Sequence, residues 1–345
     1  MSGLEVEFLR DGGQHPADVA GRLVGWVRAA RSSLDVAIYD FHARTGASAA
    51  VADALEAAAA RGVRVRVVFN AEVPRHPAAP RPAACRPEDI DGLDVPTRAV
   101  AGGGALMHHK YAVRDATSVW AGSTNWTDDA FAREENVVLR VEHPDVAAAY
   151  GADFDRLWTH GTVEAGGGEA GPVQIDGRDV RVVLSPRGPS LAQAAASLLG
   201  EARGRIRVLT PVLTAGPVLG TLAEFATRPS FDLGGAYDET QMEEVRAQWQ
   251  GVTANRWKID AWDVIRPRLA GKRSTPYREG AVHDYMHAKV LVADEAVLTG
   301  SYNLSHGGED NDEDVLLIRD RPLADRFAAF ADAIAARYAP SVRSG

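Results

Sequence analysis

A single cysteine, Cys85, among 345 residues leaves no internal disulfide to staple the fold, and no Cys/His cluster has the spacing of a structural zinc site. No run approaches the roughly 18 apolar residues of a membrane span, and the N-terminal residues lack a basic stretch leading into an apolar one. Neither secretion nor anchoring is expected; the cytoplasm is the simplest compartment. Excess positive charge is missing too. With 38 Lys and Arg against 47 Asp and Glu, the formal net charge of −9 opposes unspecific attraction to nucleic acid or anionic lipid. What is present is the makeup of a soluble globular chain, 46% apolar and 25% charged, long enough for two domains of ordinary size.

Lysine is scarce among the basic residues, with only Lys110, Lys258, Lys272 and Lys289. Two of these four stand in a motif that occurs twice. His108-His109-Lys110 is followed by Asp115 and Gly122-Ser123-Thr124-Asn125, and His287-Ala288-Lys289 by Asp294 and Gly300-Ser301-Tyr302-Asn303. The offset is 179 from His108 to His287, Lys110 to Lys289 and Asp115 to Asp294, then 178 from Gly122 to Gly300 and from Glu135 to Glu313. One residue is lost from the second turn after the aspartate. A chain that otherwise relies on arginine keeps lysine where a compact ammonium is needed as a point charge.

Around the motifs, apolar periodicity predicts strands alternating with helices, in the same order twice. Strands are expected at 6–9, 34–39, 63–69 and 137–141, then at 180–184, 206–213 and 315–318; helices at 19–27, 47–60, 146–157, 191–199, 218–225 and 323–334. Residues 73–97, with six prolines, read as a long loop. The glycine-rich stretch 161–172 reads as a linker between an N-terminal half, 1–165, and a C-terminal half, 172–345. The fold class is α/β, two similar halves with helices covering largely buried sheets.

His and Lys two residues apart project from one face of a strand, as do Ser123 with Asn125 and Ser301 with Asn303 on what should be the next strand. Asp115 and Asp294, five residues past their lysines, fall on the opposite face and are assigned to turn support. Two such half-sites together would surround an anion with cationic and neutral donors. Phosphoryl transfer from a phosphodiester fits, because two lysines and two asparagines can stabilise charge on the nonbridging oxygens. One neutral histidine would attack phosphorus and the other, protonated, would serve the leaving oxygen and then water. Glu135 and Glu313 are suited to hold the imidazoles in the required tautomer. The scheme requires no metal and no cofactor.

The doubled His-x-Lys-x4-Asp pattern followed by Gly-Ser-x-Asn resembles the phospholipase D superfamily, whose members include phospholipases, cardiolipin synthases, nucleases and tyrosyl-DNA phosphodiesterases. The resemblance implies two α/β halves related by a pseudo-two-fold axis, one active site between them, and a covalent phosphohistidine. By position it implies His108 and His287 as nucleophile and acid, with His108 the nucleophile, assisted by Lys110, Lys289, Asn125 and Asn303. The expected partner is a phosphodiester, with a phospholipid favoured, a nucleic acid as alternative, and a non-catalytic phosphodiester-binding module as the reading of another class. The expected assembly is a monomer. Gly122 to Thr127 is similar to the small nuclease and mitochondrial cardiolipin-hydrolase branch.

Lesser candidates for substrate contacts are His283, Trp126, Lys272 and Arg273, the last two within a basic stretch, 258–278, that leads into the second motif. Trp249, Trp257 and Trp262 read as core, and His42, His143, His160 and His306 as surface or capping residues.

Overall fold

The computed structural model describes residues 3–71, 87–278 and 280–339. Alanine, the residue that loses least on entering a helix, fills most of Ala49–Ala60, and Val51, Ala52, Leu55 and Ala58 turn inward from it. Pro144 opens Pro144–His160, His143 caps it by accepting from the Asp145 N–H, and Gly161 ends it in the left-handed conformation at φ 67°.

In the first half the strands are β1 (Leu4–Leu9), β2 (Ser33–Ile38), β3 (Arg64–Asn70), β4 (Thr97–Val100), β5 (Lys110–Arg114), β6 (Ser118–Gly122) and β7 (Asn136–Glu142). Its helices are α1 (Pro16–Arg28), α2 (Ala49–Ala60), α3 (Pro87–Asp91), α4 (Asp128–Ala132) and α5 (Pro144–His160). The second half contributes β8 (Gly168–Ile175), β9 (Arg178–Leu184), β10 (Arg205–Thr210), β11 (Asp232–Asp238), β12 (Ala270–Lys272), β13 (Val290–Ala293), β14 (Ala296–Gly300) and β15 (Asp314–Arg319). With them are α6 (Leu191–Gly200), α7 (Gly216–Ala226), α8 (Glu239–Gln250), α9 (Arg256–Ile265) and α10 (Arg321–Tyr338).

The sheet orders are β1-β7-β6-β5-β2-β3-β4 and, read from its far edge, β8-β9-β15-β14-β13-β10-β11-β12. Apart from the added β8, the two match strand for strand, including which pairs run parallel. The largest core cluster joins both halves: Tyr150 and Phe154 of α5 and Phe327 and Phe330 of α10 pack with Val113, Val119, Val292 and Val297. Separate clusters lie under α1 and α2 and under α6, α7 and α9. Helices therefore cover both faces of both sheets, and α5 and α10 occupy the space where the halves meet.

Two expectations change. The stretch 161–172 is not a plain linker, because β8 begins at Gly168 and forms an edge of the second sheet, its pairing with β9 shifting between Ala170 and Val173 around Pro172. The loop expected over 73–97 lies partly outside the described residues; its described part carries α3 and β4. No helix among the described residues is long and apolar enough to cross a membrane.

Candidate active site

The motif aspartates set the geometry from the far end of the strands. Asp115 and Asp294 take positive φ, 53° and 49°, in the turns β5–β6 and β13–β14. Asp115 accepts from the N–H groups of Arg31, Ser32 and Ser33, and Asp294 from those of Arg203, Gly204 and Arg205. Each thereby pins the entry to β2 or β10 beside the motif strand. At the other end, a Cβ on Gly122 would lie 2.2 Å from the Val137 carbonyl oxygen and one on Gly300 2.1 Å from that of Asp314. Only glycine lets β6 and β14 approach β7 and β15 this closely.

The histidines precede β5 and β13 and do not stand on them, and each motif lysine folds back on its own histidine: Lys110 Nζ donates to the His108 carbonyl and Lys289 Nζ to that of His287. His108, His287, Asn125 and Asn303 line one cleft of about 360 Å³. The buried amide oxygens of Asn125 and Asn303 have no hydrogen-bond partner among the described residues.

Each imidazole is gripped by the opposite half. His108 Nδ1 lies 2.8 Å from Glu313 Oε2, whose other support is the Ser301 hydroxyl at 2.6 Å. His287 Nδ1 lies 3.0 Å from Asn136 Oδ1 and 3.3 Å from Glu134 Oε2. Glu135 does not hold His287. Its carboxylate bonds Lys272 Nζ at 2.7 Å and the Tyr338 hydroxyl. The cause is register. Gly122 pairs with Val138 but Gly300 with Val315, an offset of 177 between the partners, so Asn136, not Glu135, is the counterpart of Glu313.

Hydrogen bonds fix both tautomers. The Ser123 Oγ accepts from the Val137 N–H, so its own O–H donates to Asn136 Oδ1, while Asn136 Nδ2 donates to the Ala130 carbonyl. Asn136 Oδ1 can then only accept from His287, placing the proton on Nδ1. Ser301, bonded by the Asp314 N–H, donates likewise to Glu313, and His108 Nδ1 donates to the same carboxyl. In each ring Nε2 is the nitrogen left for substrate.

Burial, reinforced by Lys110 and Lys289, holds His108 well below the usual histidine range, and burial, reinforced by Lys289 and Lys110, does the same for His287. Burial brings Lys110 down to about 7 despite Glu313, Asp314 and Asp40, and pushes Glu313 up to about 7 and Glu134 up to about 8. A crowd of desolvated cations without an anion is unfavourable; a phosphate placed among them reverses the sign.

Of the lesser candidates, His283 lines the cleft, in a ladder of rings with Tyr277 and Tyr285. Trp126 does not line it: it is fully buried, edge-on to Phe41 in the core. Lys272 is likewise buried as a strut, from the second half to Glu135 and Asp11 of the first. Arg273 points outward to Glu239 and Glu243. The basic stretch thus supplies no cleft-lining cation: Arg268 bonds the carbonyls of Ala226, Arg228 and Phe231, and Lys258 lies over Trp249. Trp249 and Trp262 are core, whereas Trp257 is 47% exposed.

Glu134, Asn136 and Asn311 were not anticipated. The signal for them is the strand pairing, which cannot be counted from glutamate to glutamate. His109, the middle residue of the first His-x-Lys, is wholly buried between Asp153 and Asp314, which raise its pKa against the effect of burial.

The family model described as "Cardiolipin synthase, PLD-like domain" matches residues 23–158 and 195–334, most of the chain, so the chain belongs to that phospholipase D-like family. The mitochondrial cardiolipin hydrolase of Xenopus laevis is 33% identical over 144 residues, 42% of this chain and 63% of the relative's length. The chain thus spans less than two thirds of that curated relative. Among solved structures, phosphatidylserine synthase from Haemophilus influenzae superposes with TM-score 0.63 at 13% identity, over 96% of this chain and 86% of that one. Polyphosphate kinase from Porphyromonas gingivalis does so with TM-score 0.57 at 14% identity, over 95% of this chain and 46% of that one. At these identities the structures share the fold alone.

Proposed function

We propose that the protein is a phosphodiesterase of the phospholipase D type, acting on a phospholipid-type diester through a phosphohistidine. The observation that carries this reading is the presence in one cleft of two imidazoles, one from each half, each with Nδ1 tied across to the other half. His108 Nε2 attacks phosphorus; the P–O bond to the leaving alcohol breaks as His287, carrying a proton on both ring nitrogens once the phosphate is bound, gives its Nε2 proton to that oxygen, leaving the other ester on a phosphohistidine. Water then bonds to phosphorus, losing a proton to His287, and the P–N bond breaks. The products are an alcohol and a phosphomonoester; an acceptor alcohol in place of water gives transfer. Lys110, Lys289, Asn125 and Asn303 stabilise charge on the nonbridging oxygens. His108 takes the nucleophile's part because Glu313, bonded directly to Nδ1, stabilises the cationic phosphoimidazole.

The lining favours a lipid headgroup over a nucleic-acid strand. Tyr39, Val212, Val245, Tyr277 and Tyr285 share the cleft with Glu134 and Glu244, and among the described residues no Arg or Lys forms its surface, the motif lysines Lys110 and Lys289 being buried. A polyanionic strand needs cations along its path. The family description and the cardiolipin hydrolase relative point the same way. The test offers mixed phospholipid vesicles, single-stranded DNA, RNA and a bis-aryl phosphodiester to the protein in chelator. Turnover of vesicles and aryl diester, lost in His108→Ala and His287→Ala, is expected. Turnover of nucleic acid with none of vesicles would make the protein a nuclease, and no turnover at all would leave a binding module.

A further inference from the structure

The two half-sites contain one glutamate and one asparagine each, two residues apart, in opposite order: Glu134 and Asn136 in the first half, Asn311 and Glu313 in the second. The register that equates Asn136 with Glu313 equates Glu134 with Asn311. Within each pair amide and carboxyl bond each other, Asn136 Nδ2 to Glu134 Oε2 at 3.1 Å and Asn311 Nδ2 to Glu313 Oε1 at 3.3 Å. The exchange changes what meets the imidazole. His108 has a carboxylate at 2.8 Å; His287 has a neutral amide at 3.0 Å, and its carboxyl stands behind, at 3.3 Å, within the cleft wall.

We infer that Glu134 is a positioning residue that fits His287 for proton transfer: its carboxyl, held beside Nδ1 by Asn136, governs how readily the ring takes up and releases the proton at Nε2. An amide acceptor fixes orientation without favouring the charged ring, so the proton affinity of His287 follows the charge on Glu134. Other groups acting on His287 are Lys289, Lys110, His108 and the Ser123 backbone, and on Glu134 they are Lys289, Lys272, Lys110, Asp129 and Tyr285. In the opposite site the carboxylate bonds the ring directly, as suits a nitrogen that must carry phosphorus and positive charge together. This inference rests on the phosphohistidine reading, and the chemistry it assigns to Glu134 is exerted through His287, not on substrate.

The leaving group separates this role from a merely structural one. A nitrophenolate leaves without a proton, so with bis(4-nitrophenyl) phosphate the burst of nitrophenol in Glu134→Gln is expected to stay within about threefold of the wild type, while steady turnover falls about a hundredfold as phosphohistidine accumulates on His108. With an alkyl leaving group the burst falls too, and the alkaline limb of kcat/KM moves to lower pH. Glu134→Asp, which restores a carboxyl, is expected to recover part of the loss. Glu313→Gln is expected to lose the burst itself. Equal slowing of burst and steady turnover in Glu134→Gln, or no change in either, would overturn the assignment. A wild-type protein with steady turnover but no burst or trapped phosphohistidine would sink the covalent reading instead, a separate failure.

Discussion

The half-site around His108 and the half-site around His287 rest on the same strands in the same order, yet they present different atoms to their rings. The framework is held closely: glycines that admit β7 and β15, aspartates that pin β2 and β10, and lysines that fold back on the histidine carbonyls. The proton chemistry is not. A carboxylate meets one Nδ1 and an amide the other, so a duplicated scaffold can keep its geometry and still give its two histidines unequal tasks.

The largest effects should come from the rings. His108→Ala is expected to remove burst and turnover together, by about 10⁴-fold or more, whereas His287→Ala should keep a burst with an aryl leaving group and lose turnover with an alkyl one; rapid-quench kinetics on both diesters compares them. Loss of the aryl burst in His287→Ala as well as in His108→Ala would erase the distinction between the half-sites.

Lys272 tests how the halves are joined. Lys272→Met leaves Glu135 buried without its cation and should cost about 3 kcal/mol in denaturant unfolding, most of it regained in Lys272→Met with Glu135→Leu. A double variant as unstable as the single would remove the strut from the account.

A smaller effect concerns pH. Glu134 rises from 4.5 to about 8 on folding, so the folded state holds a proton that the unfolded state has released between those values. The stability this group contributes is complete below about 4.5 and lost as pH climbs through about 8. Glu134→Gln lacks that loss, and its melting temperature relative to the wild type should rise from pH 5 to pH 9. A constant difference would refute the shift. Smallest is Arg273→Ala, which should change neither turnover nor melting, since that side chain lies outside the cleft and pairs only at the surface.

Much of this was legible in the chain: two motifs at a fixed offset, strands and helices repeating around them, and a supporting part for the aspartates. Glu135 was misread because identity was followed across a loop. Between Asn125 and β7 the chain makes α4, between Asn303 and β15 only a single 3-10 turn, and the pairing slips by one residue where two glutamates still happen to line up. Lys272 reads as a candidate substrate contact because a one-dimensional run of charge does not reveal that Glu135 stands opposite. β8, with four polar or small residues before Pro172, reads as a linker until its partner strand is known. β11 was hidden by Gly234 and Gly235, where Val208 of β10 packs so closely that a Cβ on Gly235 would lie 1.9 Å from its carbonyl oxygen.

Neither half owns a complete histidine. The groups that steady each ring are on loan from the other copy, so a lobe cut free would carry an unbraced imidazole, a bracket with nothing to grip, and half of a phosphate cradle. Activity and lobe docking are therefore one event: whatever wedges the lobes apart disarms both rings at once, and drift in either copy is felt in the other's chemistry.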